Sequence, residues 1–267
     1  MPTDSNTFFT GPRGLDHQPE HKINTSIGLA IGLNSLDVNC DRNVRVMAYA
    51  DNQAGSSATI RIASWDDTVL DSGGCTWLEV AKNNHDFQYG VFNTADDRSW
   101  TQPKMETSCE ISFEKAFAEP PKIVCWLNMI DMDHKHNCRI AVGVKNVTKT
   151  GFNLCITTWH DSILYTASAT WIAYPANRNN ITSGYYSTGD VRHWSDPQPR
   201  CERDILFDRT FQKALLVLTA LNMMDIDHCS SSIRIKTLST NVTAEGMTWH
   251  LDTWALPRAE RFTAVAG

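Results

Sequence analysis

The sequence predicts an all-β protein made of three tandem antiparallel β-sandwich units, arranged within one chain as a pseudo-trimer. A phrase of the form Leu-Asn-x-x-Asp occurs three times in the 267 residues, and its asparagines Asn34, Asn128 and Asn222 are 94 residues apart (128 − 34 and 222 − 128). A period of this length gives each unit room for its own core. Between the phrases, short runs of alternating apolar and polar residues have the period of β-strands, and long helical periodicity is absent.

Other residues keep nearly the same spacing, 94 residues and then 95. Each phrase is followed by an arginine in a strand-like run and then by a tryptophan, namely Arg45, Arg139 and Arg234, and Trp65, Trp159 and Trp254. We place the three units at residues 1–81, 82–176 and 177–267. Neither junction is rich in Gly, Ser or Pro, so we expect the units to pack tightly, as the single-chain counterpart of a threefold trimer.

The strands are clearest in unit two. Residues 139–144 alternate, with Ile140, Val142 and Val144 on one face, and residues 152–157 do the same with Phe152, Leu154 and Ile156; a turn at 146–151 separates the two runs. A short apolar run at 124–127 and a β-rich segment at 164–174 complete the pattern. Several short strands without intervening helices are typical of a small six-stranded sandwich.

The other two units copy this pattern unevenly. In unit three we expect strands at 205–207, 215–221, 233–235 and 247–254, with a turn at 241–246. In unit one, residues 59–63 alternate before Trp65, and Trp77 marks the closing strand. The opening segment of unit two, 84–92, matches 180–186 in unit three. Counting back by 94 leaves no equivalent in unit one, which either lacks this strand or builds it from residues 1–18. Unit three stops at Gly267, the equivalent of Ile172, and lacks the closing tryptophan that Trp171 provides in unit two.

Composition excludes several classes of function. A net charge of −6 argues against a nucleic-acid binder and against adhesion to anionic lipid. The start of the sequence lacks a signal-peptide pattern, and no apolar run reaches the roughly 18 residues of a membrane span. We therefore expect a cytoplasmic or unconventionally secreted protein without membrane insertion.

The eight cysteines follow no repeat and form no CxxC pair, so buried free thiols are expected, although the sequence does not decide whether any of them form disulfides. The sequons at Asn146 and Asn241 fall at matching repeat positions, which indicates turn chemistry instead of glycosylation.

Taken in order, the motifs of unit two resemble the H-type lectin domain, the domain of snail agglutinins and of the C-terminal part of discoidins. The matching residues are Phe113, Phe117, Pro120, Pro121, Leu127, Asn128, Asp131, Arg139, Asn146, Val147, Thr148, Gly151, Phe152, Thr158, Trp159, His160, Asp161 and Tyr165. The match is partial in unit three and weaker in unit one. The resemblance implies a six-stranded sandwich that trimerises and binds galactose and N-acetylgalactosamine between neighbouring protomers.

The resemblance also implies a binding site. In the family an arginine, a Trp-His pair and a tyrosine of one protomer meet an aspartate of its neighbour. The corresponding carbohydrate-binding residues of this chain are Arg139, Trp159, His160, Tyr165 and Asp196. Asp196 lies eleven residues before Phe207, where the equivalent position before Phe113 is Gln102. Arg and His suit sugar hydroxyls, an indole or phenol suits the apolar face, and a carboxylate accepts two hydroxyls. Period-2 counting points Trp159 away from the core; alternatively, Trp159 packs between units and His160 is simply exposed.

Units one and three depart from this pattern. Unit one has Arg45 and Trp65-Asp66, with Asp71 at the tyrosine position. Unit three has Arg234 and Trp254, followed by Ala255, and loses the tyrosine near Glu260. We expect these equivalents to bind weakly, to bind another ligand or to be inactive.

Other functions compete with the lectin hypothesis. The run Asp131-x-Asp133-His134-x-His136 offers metal ligands, but it lacks the Gly and Glu of an EF-hand, and an acidic turn is the simpler interpretation. The phrase aspartates Asp37, Asp131 and Asp225 occur in all three units, which favours a turn or the threefold interface. No catalytic motif is present, so we expect no enzyme activity, no metal and no cofactor. The main alternative is a structural or protein-binding scaffold with decayed sugar sites; a glycoside-active enzyme comes behind it.

Overall fold

A computed structural model of the chain describes residues 7–9, 20–21, 27–52, 58–81, 84, 86–228 and 230–254. Nearly all regular structure is β-strand, in three antiparallel sheets, as the sequence predicts. None of the described residues forms a helix that is both long and apolar enough to cross a membrane.

The strands follow the repeat. Unit one contains β1 (Thr7–Phe9), β2 (Glu20–His21), β3 (Ile27–Val38), β4 (Val44–Asn52), β5 (Ala58–Ser64) and β6 (Leu70–Ala81). Unit two contains β7 (Gln88–Asn93), β8 (Glu106–Ser112), β9 (Lys122–Met132), β10 (Cys138–Lys145), β11 (Gly151–Thr157) and β12 (Leu164–Tyr174). Unit three contains β13 (Arg200–Leu206), β14 (Met223–Ile226), β15 (Ile233–Thr240) and β16 (Gly246–Thr253). Short 3-10 turns at Thr94–Asp96 and Thr188–Asp190 stand at equivalent places in units two and three.

The sheets run across the unit boundaries. Their strand orders are β1-β6-β3-β15-β16-β13, β2-β5-β4-β9-β12-β7 and β14-β10-β11-β8. Strand β4 of unit one pairs with β9 of unit two, β10 of unit two with β14 of unit three, and β15 of unit three with β3 of unit one. The three units therefore close into a ring, which confirms the predicted pseudo-trimer.

Each complete unit is a sandwich of two three-stranded halves. In unit two, β9, β12 and β7 form one half, and β10, β11 and β8 form the other. The predicted inward residues Phe152, Leu154 and Ile156 are all buried. The ring of Phe152 lies 5.4 Å from that of Trp171 on β12, so the two halves meet at this aromatic contact.

The turn before β11 is built by residues of the sequon. Asn146 and Asn241 both have positive φ, 56° and 51°, a conformation that asparagine tolerates better than most residues. In unit two Thr148 follows, and its hydroxyl donates to the carbonyl of Gly151 at 2.9 Å. These contacts agree with the prediction of turn chemistry at the two matching sequons.

Unit one has an opening strand, so the second of the two predicted alternatives is correct. In β1, Phe8 is buried and stands opposite Cys75. In unit two, Phe92 of β7 stands opposite Ala169, the residue 94 positions after Cys75. The two strands are equivalent in space, but unit one reaches this place through a shorter connection, so counting by the repeat period missed it.

Unit three departs from the predicted strands. Neither 215–221 nor the opening segment 180–186 is a strand, and β14 covers only four residues. In unit two the corresponding segments pair with β12, and the equivalent of β12 falls within 255–267, outside the described residues. A groove of about 590 Å³ lies here, with Tyr185, Leu221 and Trp249 among its lining residues.

Candidate functional site

One arginine–aspartate pair stands at every junction between units. Arg45 lies opposite Asp131, Arg139 opposite Asp225 and Arg234 opposite Asp37 on the paired strands. Their Nε–Oδ1 distances are 3.5, 3.2 and 3.0 Å respectively. Each aspartate is the last residue of the repeated Leu-Asn-x-x-Asp phrase. The phrase therefore marks the interface between units, one of the two roles that the sequence favoured.

The arginines of these pairs are largely removed from water. The arginine side chains are 12–14% exposed. Burial raises the pKa of Asp37, while Arg234 opposes the rise and Trp254 donates a hydrogen bond to the carboxylate. Burial likewise raises the pKa of Asp131, with Arg45 opposing it. Desolvation of the carboxylate thus outweighs its attraction to arginine at both junctions.

At the junction of units two and three, Arg139 fastens a loop of its own unit. Its Nη1 donates to Asp161 Oδ1 at 2.6 Å and to Ser162 Oγ at 3.2 Å. The hydroxyl of Thr158 donates to the carbonyl of Arg139 at 2.6 Å. The hydrogen bond from Arg139 lowers the pKa of Asp161, so this carboxylate stays ionised. Arg139 therefore binds unit three through Asp225 and holds the 158–162 loop against the same junction.

This loop presents the predicted Trp-His pair. Thr158, the residue after β11, is buried, Trp159 is half-buried and the His160 side chain is 73% exposed. His160 has a positive φ of 62°, which turns the chain sharply before β12. Its Nδ1 lies 3.2 Å from Asp161 Oδ1. Trp159 is thus outside the core, as period-2 counting predicts, and His160 and Asp161 form one polar, solvent-facing edge.

Asp196 belongs to the unit that Arg139 faces. It lies in the exposed segment between the 3-10 turn of unit three and β13, and its carboxylate accepts a hydrogen bond from Gln198 at 3.1 Å. The neighbouring Trp194 is 82% exposed. Because β10 pairs with β14, Asp196 lies on the same unit as the strand that meets Arg139. Its approach to a ligand beside Arg139 stays a prediction.

Tyr165 stands at a different junction from Arg139. Its hydroxyl lies 3.5 Å from Asp133 Oδ1, and its ring packs edge-on against Trp100 with centroids 6.4 Å apart. Burial and the charges of Asp133 and Asp131 raise its pKa, and Arg45 of unit one opposes this rise. The structure therefore groups Tyr165 with Arg45. Strand β12 begins one residue before Tyr165 and carries it away from the Trp159-His160 loop, which closeness in sequence cannot reveal.

The equivalents in unit one lie beside Tyr165. Arg45 contacts Asp67 at 2.7 Å and Asp66 at 3.2 Å. Asp66 has a φ of 57°, so it occupies the same left-handed position as His160. Trp65 is half-buried, as Trp159 is.

In unit three, Arg234 and Trp254 both contact Asp37 of unit one. Ala255 and Glu260 lie outside the described residues.

Asp133 and Trp100 are functional candidates that sequence reasoning missed. Asp133 was interpreted as part of an acidic turn, and it does accept from the Lys135 backbone and from His136, both at 2.9 Å. No group of His, Cys, Asp or Glu among the described residues is placed to hold a metal ion. The signal that could have identified Trp100 is its match to Trp194 at the repeat spacing.

The fold and the junctions define a ring of three β-sandwich repeats with polar sites between the units. The model of the H-type lectin domain matches residues 29–78, 108–174 and 202–264, one segment in each unit. The chain belongs to the H-type lectin domain family, as three tandem domains.

Individual relatives add little detail. A protein of Fuscovulum blasticum described as "ATP synthase subunits region ORF 7" is 33% identical over 75 residues, which is 28% of this chain and 65% of that relative. This chain thus covers less than two thirds of the length of the Fuscovulum blasticum protein. Wild-type discoidin II from Dictyostelium discoideum is 13% identical, with a TM-score of 0.28 over 63% of this chain and 92% of discoidin II. A recombinant native discoidin II is 12% identical, with a TM-score of 0.28 over 63% and 94% of the two chains.

Proposed function

We propose that the chain binds glycans ending in galactose or N-acetylgalactosamine at the junction of units two and three, and that it does so without catalysis. The observation that supports this most directly is the Arg139–Asp225 pair, with Nε and Oδ1 3.2 Å apart. It brings the loop with Trp159 and His160 to the unit that carries Asp196. The residues that the resemblance assigns to one site, Trp159 and His160 with Asp196, therefore belong to adjoining units.

The chemistry of this edge suits a sugar. Trp159 offers an apolar face, and the exposed His160 and Asp161 offer a donor and an acceptor for hydroxyls. Arg139 already donates hydrogen bonds to Asp161 and Ser162 and pairs with Asp225, so its main role is to hold these groups in place. Asp196 supplies a further acceptor from unit three. Tyr165 takes no part at this junction.

One site of this kind binds a monosaccharide weakly, and avidity requires several sites on one particle. Agglutination would therefore need further self-association of the chain as a homo-oligomer. The partners we expect are glycans and glycoconjugates, not nucleic acids or lipid bilayers.

Calorimetric titration of N-acetylgalactosamine tests the proposal. Because His160 has a positive φ, His160→Asn is a better variant than His160→Ala: asparagine tolerates this backbone while removing the imidazole. Asp66→Asn makes the matching change at the same left-handed position of unit one and serves as the control.

We expect about one site per chain in the wild type and in Asp66→Asn, and at least a tenfold weaker affinity in His160→Asn. Equal binding by all three proteins would move the site to another surface. Absence of binding by the wild type to N-acetylgalactosamine and to galactose would leave a scaffold with decayed sites as the better description.

A further inference from the structure

We propose that the junction of units one and two is a second sugar site, selective for a hexosamine whose amine is free and protonated. This inference rests on the proposed lectin function, but it concerns other residues and a ligand of different charge. The groups that form the site are Arg45, Asp66 and Asp67 of unit one and Trp100, Asp131, Asp133 and Tyr165 of unit two.

The charge of this junction is the first argument. Asp66 stands at the left-handed position that His160 occupies in unit two, so a carboxylate replaces an imidazole. Three carboxylates pair with Arg45, namely those of Asp66, Asp67 and Asp131, and a fourth, that of Asp133, lies 3.5 Å from the hydroxyl of the neighbouring Tyr165. Arg42 adds one further positive charge, through its contact with Asp67 at 3.2 Å. Negative charge remains in excess, and a neutral sugar does not compensate it.

A buried carboxylate oxygen that lacks a hydrogen bond is the second, independent argument. Asp131 is only 9% exposed. Its Oδ1 lies 3.5 Å from Arg45 Nε but makes no hydrogen bond within the described structure. The charge of Asp66 also contributes to raising the pKa of Asp131, so the two carboxylates lie close enough to repel. A bound ammonium group beside the exposed Asp66 would offset this repulsion.

An aromatic surface beside the carboxylates is the third argument. Trp100 is 60% exposed and its ring packs edge-on against Tyr165, whose hydroxyl contacts Asp133. An exposed indole suits the apolar face of a pyranose, and it attracts a cation placed over its face. At this junction, the carboxylates and the exposed aromatic ring together favour a ligand that has both an apolar face and a positive charge.

The two junctions therefore differ in the charge of the ligand that they suit. The exposed residue at the shared left-handed position is His160 at the junction of units two and three, and Asp66 at the junction of units one and two. A hexosamine differs from its N-acetyl form chiefly in carrying an ammonium group in place of a neutral amide. The wild type should bind the two sugars at different junctions.

Titration of galactosamine and N-acetylgalactosamine into the same three proteins tests this, at about pH 6, where an amino group is protonated. We expect Asp66→Asn to weaken galactosamine binding by at least tenfold and to leave N-acetylgalactosamine unchanged. We expect His160→Asn to do the reverse. Asp66 is 67% exposed and asparagine tolerates a positive φ, so the variant should fold normally.

A second variant, Trp100→Ala, should weaken galactosamine binding in the His160→Asn background. Equal affinity of that background for the free and the acetylated sugar would overturn the inference, as would unchanged galactosamine binding in Asp66→Asn. Loss of binding on addition of a chelator would also overturn it, because a metal would then hold the sugar. Loss of N-acetylgalactosamine binding alone affects only the proposed function, since galactosamine binding is read separately.

Discussion

Arg139 and Asp225 stand directly opposite each other on β10 and β14, two strands of different units, with Nε and Oδ1 3.2 Å apart. The same pair recurs at both other junctions. Because β15 of the last unit returns to β3 of the first, the three pairs lie at equivalent places around one ring. The repeated phrase therefore ties each unit to the next, and the polar groups that flank it form the candidate sites.

The three pairs should contribute differently to stability. Arg234 and Asp37 are both 12% exposed, whereas Asp225 is 51% exposed. Arg234→Met leaves a buried carboxylate without its partner, and we expect it to lower the free energy of unfolding by about 3–5 kcal/mol at neutral pH. Arg139→Met should cost about 1 kcal/mol through the Asp225 contact, because water screens that pair. Denaturant titration of both variants checks the order, and equal losses would contradict it.

The Arg234→Met variant should also change the dependence of stability on pH. Burial already raises the pKa of Asp37, and loss of the arginine removes a main opposing influence. A carboxyl whose pKa is higher in the folded protein binds its proton more tightly there. Its contribution is therefore most favourable below the unfolded value of 3.8 and is lost as pH rises through the folded pKa. The destabilisation should be smaller in acid than at neutral pH, as parallel denaturant titrations would show.

His228 gives a pH dependence of the opposite sign. It is fully buried, and its Nε2 lies 3.2 Å from the backbone carbonyl of Arg42 in unit one. Burial lowers its pKa from 6.5, and the nearby His134 adds to this effect. Below that value the unfolded chain takes up a proton that the folded protein resists, so stability falls as pH drops below about 6.5.

His228→Gln should remove this part of the loss. The measurement is the free energy of unfolding of both proteins at about pH 7 and at about pH 5. At the lower pH the histidine of the unfolded wild type is protonated, which favours unfolding. The same drop in wild type and variant would show that other groups carry the acid sensitivity.

The sequence predicts what is local and periodic. The alternation of Phe152, Leu154 and Ile156 placed these side chains in the core because a strand turns every second residue to one face. The repeat also gave the interface as one role of Asp225. The resemblance supplied the Trp159-His160 pair, and Arg139 links that loop to Asp225 of unit three.

Contacts between distant segments could not be predicted in this way. Which strand β10 meets depends on how two units dock, and no local pattern encodes the direction around the ring. Tyr165 follows His160 by five residues, yet it lies beside Arg45 because β12 begins between them. The 215–221 run is apolar and strand-like, but a strand also needs a partner, and periodicity does not report one.

Gly151 is required by close backbone packing. A Cβ at this position would lie 2.2 Å from the carbonyl oxygen of Ile111 on β8, an atom that cannot move without shifting the strand. We expect Gly151→Ala to lower the free energy of unfolding by about 1–3 kcal/mol. Gly143 on the adjacent β10 is the control, since a Cβ there meets nothing within 4 Å. Gly143→Ala should change stability by less than about 0.5 kcal/mol; a loss equal to that of Gly151→Ala would mean that steric overlap is not the cause.

Burial should make two thiols inert. It raises the pKa of Cys75 and of Cys138 to about 12, and the thiolate is the reactive form. The native protein should therefore not be alkylated by iodoacetamide at these two positions at neutral pH, whereas the partly exposed Cys40 should be. Addition of denaturant should make Cys75 and Cys138 reactive as well, because unfolding removes the burial that raises their pKa. Peptide mass spectrometry after a brief exposure distinguishes the positions, and labelling of Cys138 as fast as Cys40 would show that the junction around Asp225 opens in the native state.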